Sequence, residues 1–223
     1  MMLEKKNIKT LPQIICSDRR GKNFTNHNRF DESVKKKNIL LHSCCGPCST
    51  AVVEQLAEEF DVTVFFYNPC ITDEAEYQKR RDAQIEYIKK FNEENMGKTV
   101  VFFKESDYRP GSFYKLTEGH EKDSEGGARC RICFQQRLEK TAEVASLSGF
   151  DFFTTTLTVS PHKNFKIISE IGKNLALRYG LTFLDRDFKK KNGFGRSVEL
   201  SKKYGLYRQN YCGCEYSKRL GDD

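Results

Sequence analysis

The sequence predicts an α/β fold built on a doubly wound, mainly parallel sheet. Three observations point to it. Short apolar or β-branched runs recur along the chain, at 39–42, 62–67, 99–103, 152–157 and 181–184. Stretches with helical periodicity alternate with these runs, as helices on both faces of a parallel sheet require. The chemically unusual residues, cysteines above all, sit just after strand-like runs, where such sheets bind their ligands.

Residues 1–37 lack apolar periodicity and are rich in Asn, Lys and Arg, which predicts a basic, largely irregular arm with a free thiol at Cys16. The compact domain is expected over 38–223. Ile39-Leu40-Leu41-His42 reads as a buried first strand, stopped by Ser43-Cys44-Cys45-Gly46-Pro47-Cys48. A helix follows from Ser49 to Phe60, with Pro47 suited to its first turn. Val62–Tyr67 is the second strand, ended by Asn68-Pro69. A charged helix is predicted over 73–95, with Tyr77, Ile85, Ile88 and Phe91 inward. Thr99–Phe103 is the third strand. The polar connection Lys104–Arg129 is long enough to suggest a functional loop. Helices are expected at 130–148 and 166–179, strands at 152–157 and 181–184, and a short helix near 197–204. Thr155, Ser160 and the segment Asp185–Lys190 then fall on the same rim as Cys44 and Cys45.

Seven of the nine cysteines lie in three groups, Cys44/Cys45/Cys48, Cys130/Cys133 and Cys212/Cys214. Such spacing suits soft-metal ligation or thiol redox chemistry. Cys45-Gly46-Pro47-Cys48 matches a thioredoxin-type tetrad, where a helix N-terminus lowers a thiol pKa. Cys130 and Cys133, three apart on a helix, share one face and can grip one metal or two corners of a cluster. A structural zinc using four of the thiols is an alternative. Cys212-Gly213-Cys214 can close a strained, readily reduced disulfide. Cys70 stands alone and reads as a buried small hydrophobe.

The chain has 38% apolar and 31% charged residues and a formal charge of +7. Both basic segments lie towards the ends, +6 over residues 1–37 and +4 over 185–223. A polyanion such as RNA suits these surfaces. The opening Met1-Met2-Leu3-Glu4-Lys5-Lys6 has no apolar core, and no run is long enough for a membrane span, so no membrane association is expected. A reducing cytoplasm is the expected setting.

His42-Ser43-Cys44-Cys45-Gly46-Pro47-Cys48-Ser49 resembles the first signature of the QueH-type epoxyqueuosine reductases. The resemblance continues through Tyr67-Asn68-Pro69, Glu76-Tyr77 with Arg80, Cys130-x-x-Cys133 with Arg137-Leu138 and Phe153–Leu157. It extends to Ser160-Pro161 with Lys163, Asp187–Lys190, and Tyr207-Arg208-Gln209 through Ser217. It spans roughly residues 38–220. Cys70 stands where the pattern has Asn. The resemblance implies an adenine-nucleotide α-hydrolase-like, Rossmann-like fold and a 4Fe–4S cluster. It also implies reduction of epoxyqueuosine to queuosine at the wobble position of a tRNA, the last step of queuosine biosynthesis.

The expected ligands are Cys44, Cys45, Cys130 and Cys133, two at a strand end and two on one helix face. Cys48, expected a turn deeper, is a possible additional thiol. Opening an epoxide to an alkene consumes two electrons and two protons, so a second redox element is needed beside the cluster. Cys212 and Cys214 as a redox pair, or a second adjacent iron, would serve, with an unidentified electron donor upstream. Asp187 is the candidate proton donor or metal ligand; His42 reads as structural. Lys163, Lys189, Lys190 and Arg208 are the candidate tRNA phosphate contacts, with Tyr207, Tyr211 and Phe188 as candidate stacking rings. A thiol–disulfide oxidoreductase and a zinc-stabilised RNA-binding module remain the other readings.

Overall fold

The computed structural model describes residues 36–218. The expected arm therefore lies outside the described residues apart from its last two, and Cys16 lies outside them altogether. Five parallel strands form one sheet: β1 (Lys37–Ser43), β2 (Phe60–Phe66), β3 (Phe102–Glu105), β4 (Phe152–Thr155) and β5 (Thr182–Phe183). Their order is β3-β2-β1-β4-β5. The chain winds outward from β1 through β2 to β3, then returns to the other side of β1. The carboxyl ends of β1 and β4 thus flank the point where strand order reverses, the place where such sheets open a crevice.

The helices are α1 (Gly46–Glu59), α2 (Glu74–Glu94), α3 (Pro110–Leu116), α4 (Ala128–Leu147), α5 (Phe165–Tyr179) and α6 (Gly193–Lys203). Pleating sends successive strand residues to opposite faces. Ile39 and Leu41 join Val52, Leu56, Tyr87, Phe91 and Leu200 in the core under α1, α2 and α6. Leu40 and Phe65 join Leu138, Ala142, Ile168 and Leu175 under α4 and α5. No helix among the described residues is long and apolar enough to cross a membrane.

Several boundaries differ from the sequence expectation. β3 begins at Phe102, not Thr99. The Asn92 side chain takes both backbone groups of Val101, donating to its carbonyl at 2.9 Å and accepting from its N–H at 2.9 Å, so α2 satisfies what a strand neighbour would have. β4 stops at Thr155, whose hydroxyl accepts from the Leu157 N–H and turns the chain into a 3-10 turn over Thr156–Val159. The polar connection contains α3, started by Pro110. On α2, Ile85 is 42% exposed rather than inward. Tyr87 is buried in its place and donates its hydroxyl to the Thr50 carbonyl.

Two contacts set the site-bearing segments. Gly46 opens α1 where a Cβ would lie 2.5 Å from the Ala83 carbonyl oxygen, so only glycine permits this approach of α1 to α2. The tail after α6 is fastened by Arg80, a fully buried side chain on α2. Its Nε donates to Glu76 Oε1 at 2.6 Å, while Nη1 and Nη2 donate to the carbonyls of Cys212 and Tyr211 at 2.9 and 3.1 Å. Glu76 accepts in turn from the Tyr207 hydroxyl at 2.7 Å. Between the two cysteines, Gly213 has φ +122°, and a Cβ there would meet Ile71 and Arg80 at 2.9 and 3.0 Å.

Gly46→Ala is expected to cost about 1–3 kcal/mol, the range for forcing a methyl group into a packed contact; urea unfolding of the purified variant measures it. Arg80→Met removes one partner of a buried ion pair and leaves Glu76 uncompensated, a change that costs about 3–5 kcal/mol. Hydrogen exchange should rise first in residues 207–214, which would be freed from their anchor.

Candidate thiol and metal centre

The crevice between β1 and β4 holds the first thiol group. β1 ends at Ser43, whose hydroxyl donates to Gln84 Oε1 at 2.6 Å and whose carbonyl accepts from Asn68 Nδ2 at 2.9 Å. That pinned end delivers Cys44 and Cys45 to the N-terminus of α1, where Cys45 is the capping residue and Cys48 lies in the first turn. The Cys44 and Cys45 sulfurs are 3.9 Å apart. All three sulfurs lie within 4.8 Å of one another, the one group of metal-holding size found among the described residues. Cys48 thus joins Cys44 and Cys45, a correction to its expected position deeper in the helix.

Three thiols so close together, two of them buried, cannot all ionise. Hydrogen bonds from Cys45 and Cys48 hold the Cys44 thiol well below its ordinary range, with Lys163 and Arg137 adding to the effect against burial. Burial and the Cys44 charge push Cys45 up to about 12, and Cys48 also rises beside its two neighbours. The group therefore favours one thiolate, at Cys44. His42 is fully buried behind it. Its Nε2 donates to the Tyr67 carbonyl at 3.2 Å, so Nδ1 accepts from the Thr155 hydroxyl at 2.9 Å. Burial and Arg137 push the imidazole down to about 3. It is a neutral structural histidine, as its strand position suggested.

A second group lines a small cavity formed by Cys70, Cys130, Cys133, Cys212 and Cys214 with Phe113, Phe134 and two arginines. Cys70 is buried as expected but is not isolated. A hydrogen bond from Cys133, with Arg137 and Arg80 nearby, brings its thiol down to about 6 against burial, and Cys133 rises correspondingly. Arg137, from α4, is 1% exposed and has no carboxylate partner among the described residues. Its Nε donates to the Cys133 carbonyl at 3.3 Å, and its Nη2 is buried without a hydrogen-bond partner among them. Burial alone would lower its pKa, yet Cys133, Cys70, Cys212 and Cys44 raise it. A buried guanidinium surrounded by thiols is a place built for anionic sulfur.

An open pocket of about 300 Å³ lies outside the first group. Cys44, Cys48, Lys163, Arg208, Tyr211 and Cys212 are among its walls. Cys212 lines this pocket and the inner cavity alike. Burial would lower the Lys163 pKa, but Cys212, Cys44 and Cys48 hold it above its ordinary value. Arg208 is exposed over the Phe194 ring at 5.6 Å, and Tyr211 is flanked by Arg80 at 5.1 Å and Lys218 at 5.5 Å.

The remaining candidates sit elsewhere. Asp187 pairs with Lys189 at 3.3 Å and is not among the groups that line either thiol cavity. Lys190 is exposed. Phe188 is core, 1% exposed and closely packed under Gly193, so it is no stacking platform. Tyr207 is 38% exposed and bound to Glu76. Sequence reasoning passed over Phe194, Gln209, the charges of Arg80 and Arg137, and the cavity position of Cys70. Cys70 follows β2 much as Cys44 follows β1, and that signal was present in the chain.

A family model described as epoxyqueuosine reductase QueH matches residues 39–220. Among curated proteins named epoxyqueuosine reductase QueH, that of Streptococcus pyogenes serotype M1 is 44% identical over 189 residues, covering 85% of this chain and 73% of its own. That of Staphylococcus epidermidis is 38% identical, covering 85% and 80%. That of Thermotoga maritima is 36% identical, covering 80% and 89%. With a match across nearly all of the described domain and the cysteine groups gathered around one buried arginine, the chain belongs to the QueH family of epoxyqueuosine reductases and is an oxidoreductase.

Proposed function

We propose that this chain reduces epoxyqueuosine to queuosine in the wobble position of tRNA, with a 4Fe–4S cluster and the Cys212/Cys214 pair as its redox elements. The observation that carries the reading is the position of Cys212, which borders both the outer pocket and the inner thiol cavity. The residues fit a cluster on one further ground. Arg137 is a buried cation whose Nη2 has no partner among the described residues and whose surrounding counter-charges are thiols, and a thiolate-ligated cluster supplies that negative charge. Cys44, Cys45, Cys130 and Cys133 would hold it. When bound, it supplies one-electron transfer next to the pocket.

The chain's own groups account for the rest. The epoxide loses its oxygen as water and becomes an alkene, taking up two electrons and two protons. The Cys212/Cys214 dithiol can furnish both as it closes to a disulfide, with Gly213 allowing the backbone between them. A separate electron donor must then reduce it. Charge developing on the departing oxygen is stabilised by a fixed cation. Lys163 faces the pocket and Asp187 does not line it, so Lys163 takes this role. Tyr211, Arg208 and Phe194 line the pocket, where an unstacked anticodon base would be received, and Lys189 and Lys190 would contact phosphates away from it.

The closeness of Cys48 to Cys44 and Cys45 favours a second ligand set in which Cys48 replaces one member. Single Ala variants, purified without oxygen, distinguish the two. Loss of iron is expected at Cys44, Cys45, Cys130 and Cys133 but not at Cys48; the reverse at Cys48 and Cys44 would move the ligation to the outer group. The Cys212→Ala/Cys214→Ala double variant should remain brown with full iron and yield no queuosine from an epoxyqueuosine-bearing stem-loop. Replacing Lys189, Lys190 and Arg208 with Ala should weaken stem-loop binding and lower its salt slope by roughly 0.7–0.9 for each phosphate that is no longer neutralised, measured by filter binding across a salt series.

A further inference from the structure

Among the neutral side chains on the thiols, Gln209 makes the shortest contact and has no part in the chemistry above. Gln209 lies in the irregular segment after α6 and reaches the N-terminus of α1. Its Nε2 donates to the Cys45 sulfur at 3.0 Å, with the Cys48 sulfur at 3.9 Å. Its Oε1 is buried and has no hydrogen-bond partner among the described residues. The amide is thus held by its N–H groups on sulfur rather than by its oxygen. A thiol can donate to an amide oxygen or accept from an amide N–H, but a metal-bound thiolate can only accept. The orientation found is the one that serves a thiolate at Cys45. Arg80 fixes the Tyr211 and Cys212 carbonyls two and three residues further on, so the donor is carried on an anchored stretch of backbone.

We propose that Gln209 is a positioning residue that sets the reduction potential of the cluster through its N–H···S hydrogen bond to Cys45. The proposal rests on the reading that Cys45 helps to hold a cluster. Adding one electron, with no bond made or broken, raises the negative charge on the ligating sulfurs. An N–H donor therefore stabilises the reduced state more than the oxidised one and raises the potential. Arg80 acts on the same Cys45 sulfur as a full charge, over longer range. Gln209 carries no net charge, so its effect depends on contact and is confined to the sulfur it touches.

The test uses the full chain, reconstituted with iron and sulfide, in wild-type, Gln209→Leu and Gln209→Met forms. Leu and Met keep a side chain of similar bulk but replace the amide with apolar groups, removing both donors. Iron content is measured first, then the midpoint potential by dithionite titration followed by electron paramagnetic resonance. The expected result is full iron with a lower midpoint. At a fixed ambient potential the reduced-to-oxidised ratio should fall about tenfold, which for one electron is ~59 mV. A wild-type midpoint in either iron-replete variant overturns the proposal. Loss of iron from both variants also overturns it, since Gln209 would then be needed for assembly rather than for tuning. A wild-type protein that binds no cluster would refute the functional reading itself, and is told apart by the iron count before any titration.

Discussion

The arrangement of this protein turns on buried positive charge. Arg137 is almost wholly enclosed, yet no carboxylate among the described residues is paired with it. Isolating a cation from water costs several kcal/mol even after relaxation. What surrounds Arg137 instead is sulfur, with Cys133, Cys70, Cys212 and Cys44 all acting on it. Thiols are neutral at ordinary pH unless a cation or a metal stabilises the thiolate. The arginine and the cysteines therefore need each other: the charge favours the anionic form of Cys44 and Cys70, and anionic sulfur makes the charge tolerable in the interior. Lys163 repeats the relation at the pocket, facing Cys44, Cys48 and Cys212.

The scaffold's contribution is to bring distant segments to one place. Parallel winding puts every strand's carboxyl end on the same rim, and the reversal between β1 and β4 opens the crevice there. Cys44 and Cys45 arrive from β1, Cys70 from the turn after β2, and Cys130 and Cys133 from the first two turns of α4. The last pair of cysteines follows no strand and opens no α-helix. Arg80 substitutes for such an element, binding the carbonyls of Tyr211 and Cys212 with a guanidinium already held by Glu76. The same ion pair thus orders the tail and aims Cys212 between the two cavities.

The rim chemistry was legible because it leaves local marks. A strand-length apolar run followed by Cys-Cys-Gly-Pro-Cys announces a helix start loaded with thiols. A structural, hydrogen-bonded His42 was also readable from its place at the end of a core strand. Other features leave no local mark. Asn92 reaches across to Val101 and shortens β3, and the pattern at 99–103 carries no sign of that intruder. Tyr87 rather than Ile85 faces inward on α2, because Thr50 offers its hydroxyl a partner.

The sequence by itself determined the winding of the sheet, the helix-start position of Cys44 and Cys45, and the family. Each is written in short-range periodicity, capping and motif spacing, which neighbouring residues settle among themselves. Only the tertiary structure decided which thiols face which cations. Phe194 was moved to the pocket wall and Phe188 into the core, and Asp187 was turned away to Lys189. Cys70 was brought against Cys133, and Gln209 was set on Cys45 across 164 positions of chain. These outcomes depend on the electrostatic cost of burying charge and on packing between segments far apart in sequence. Neither quantity exists until the chain has folded.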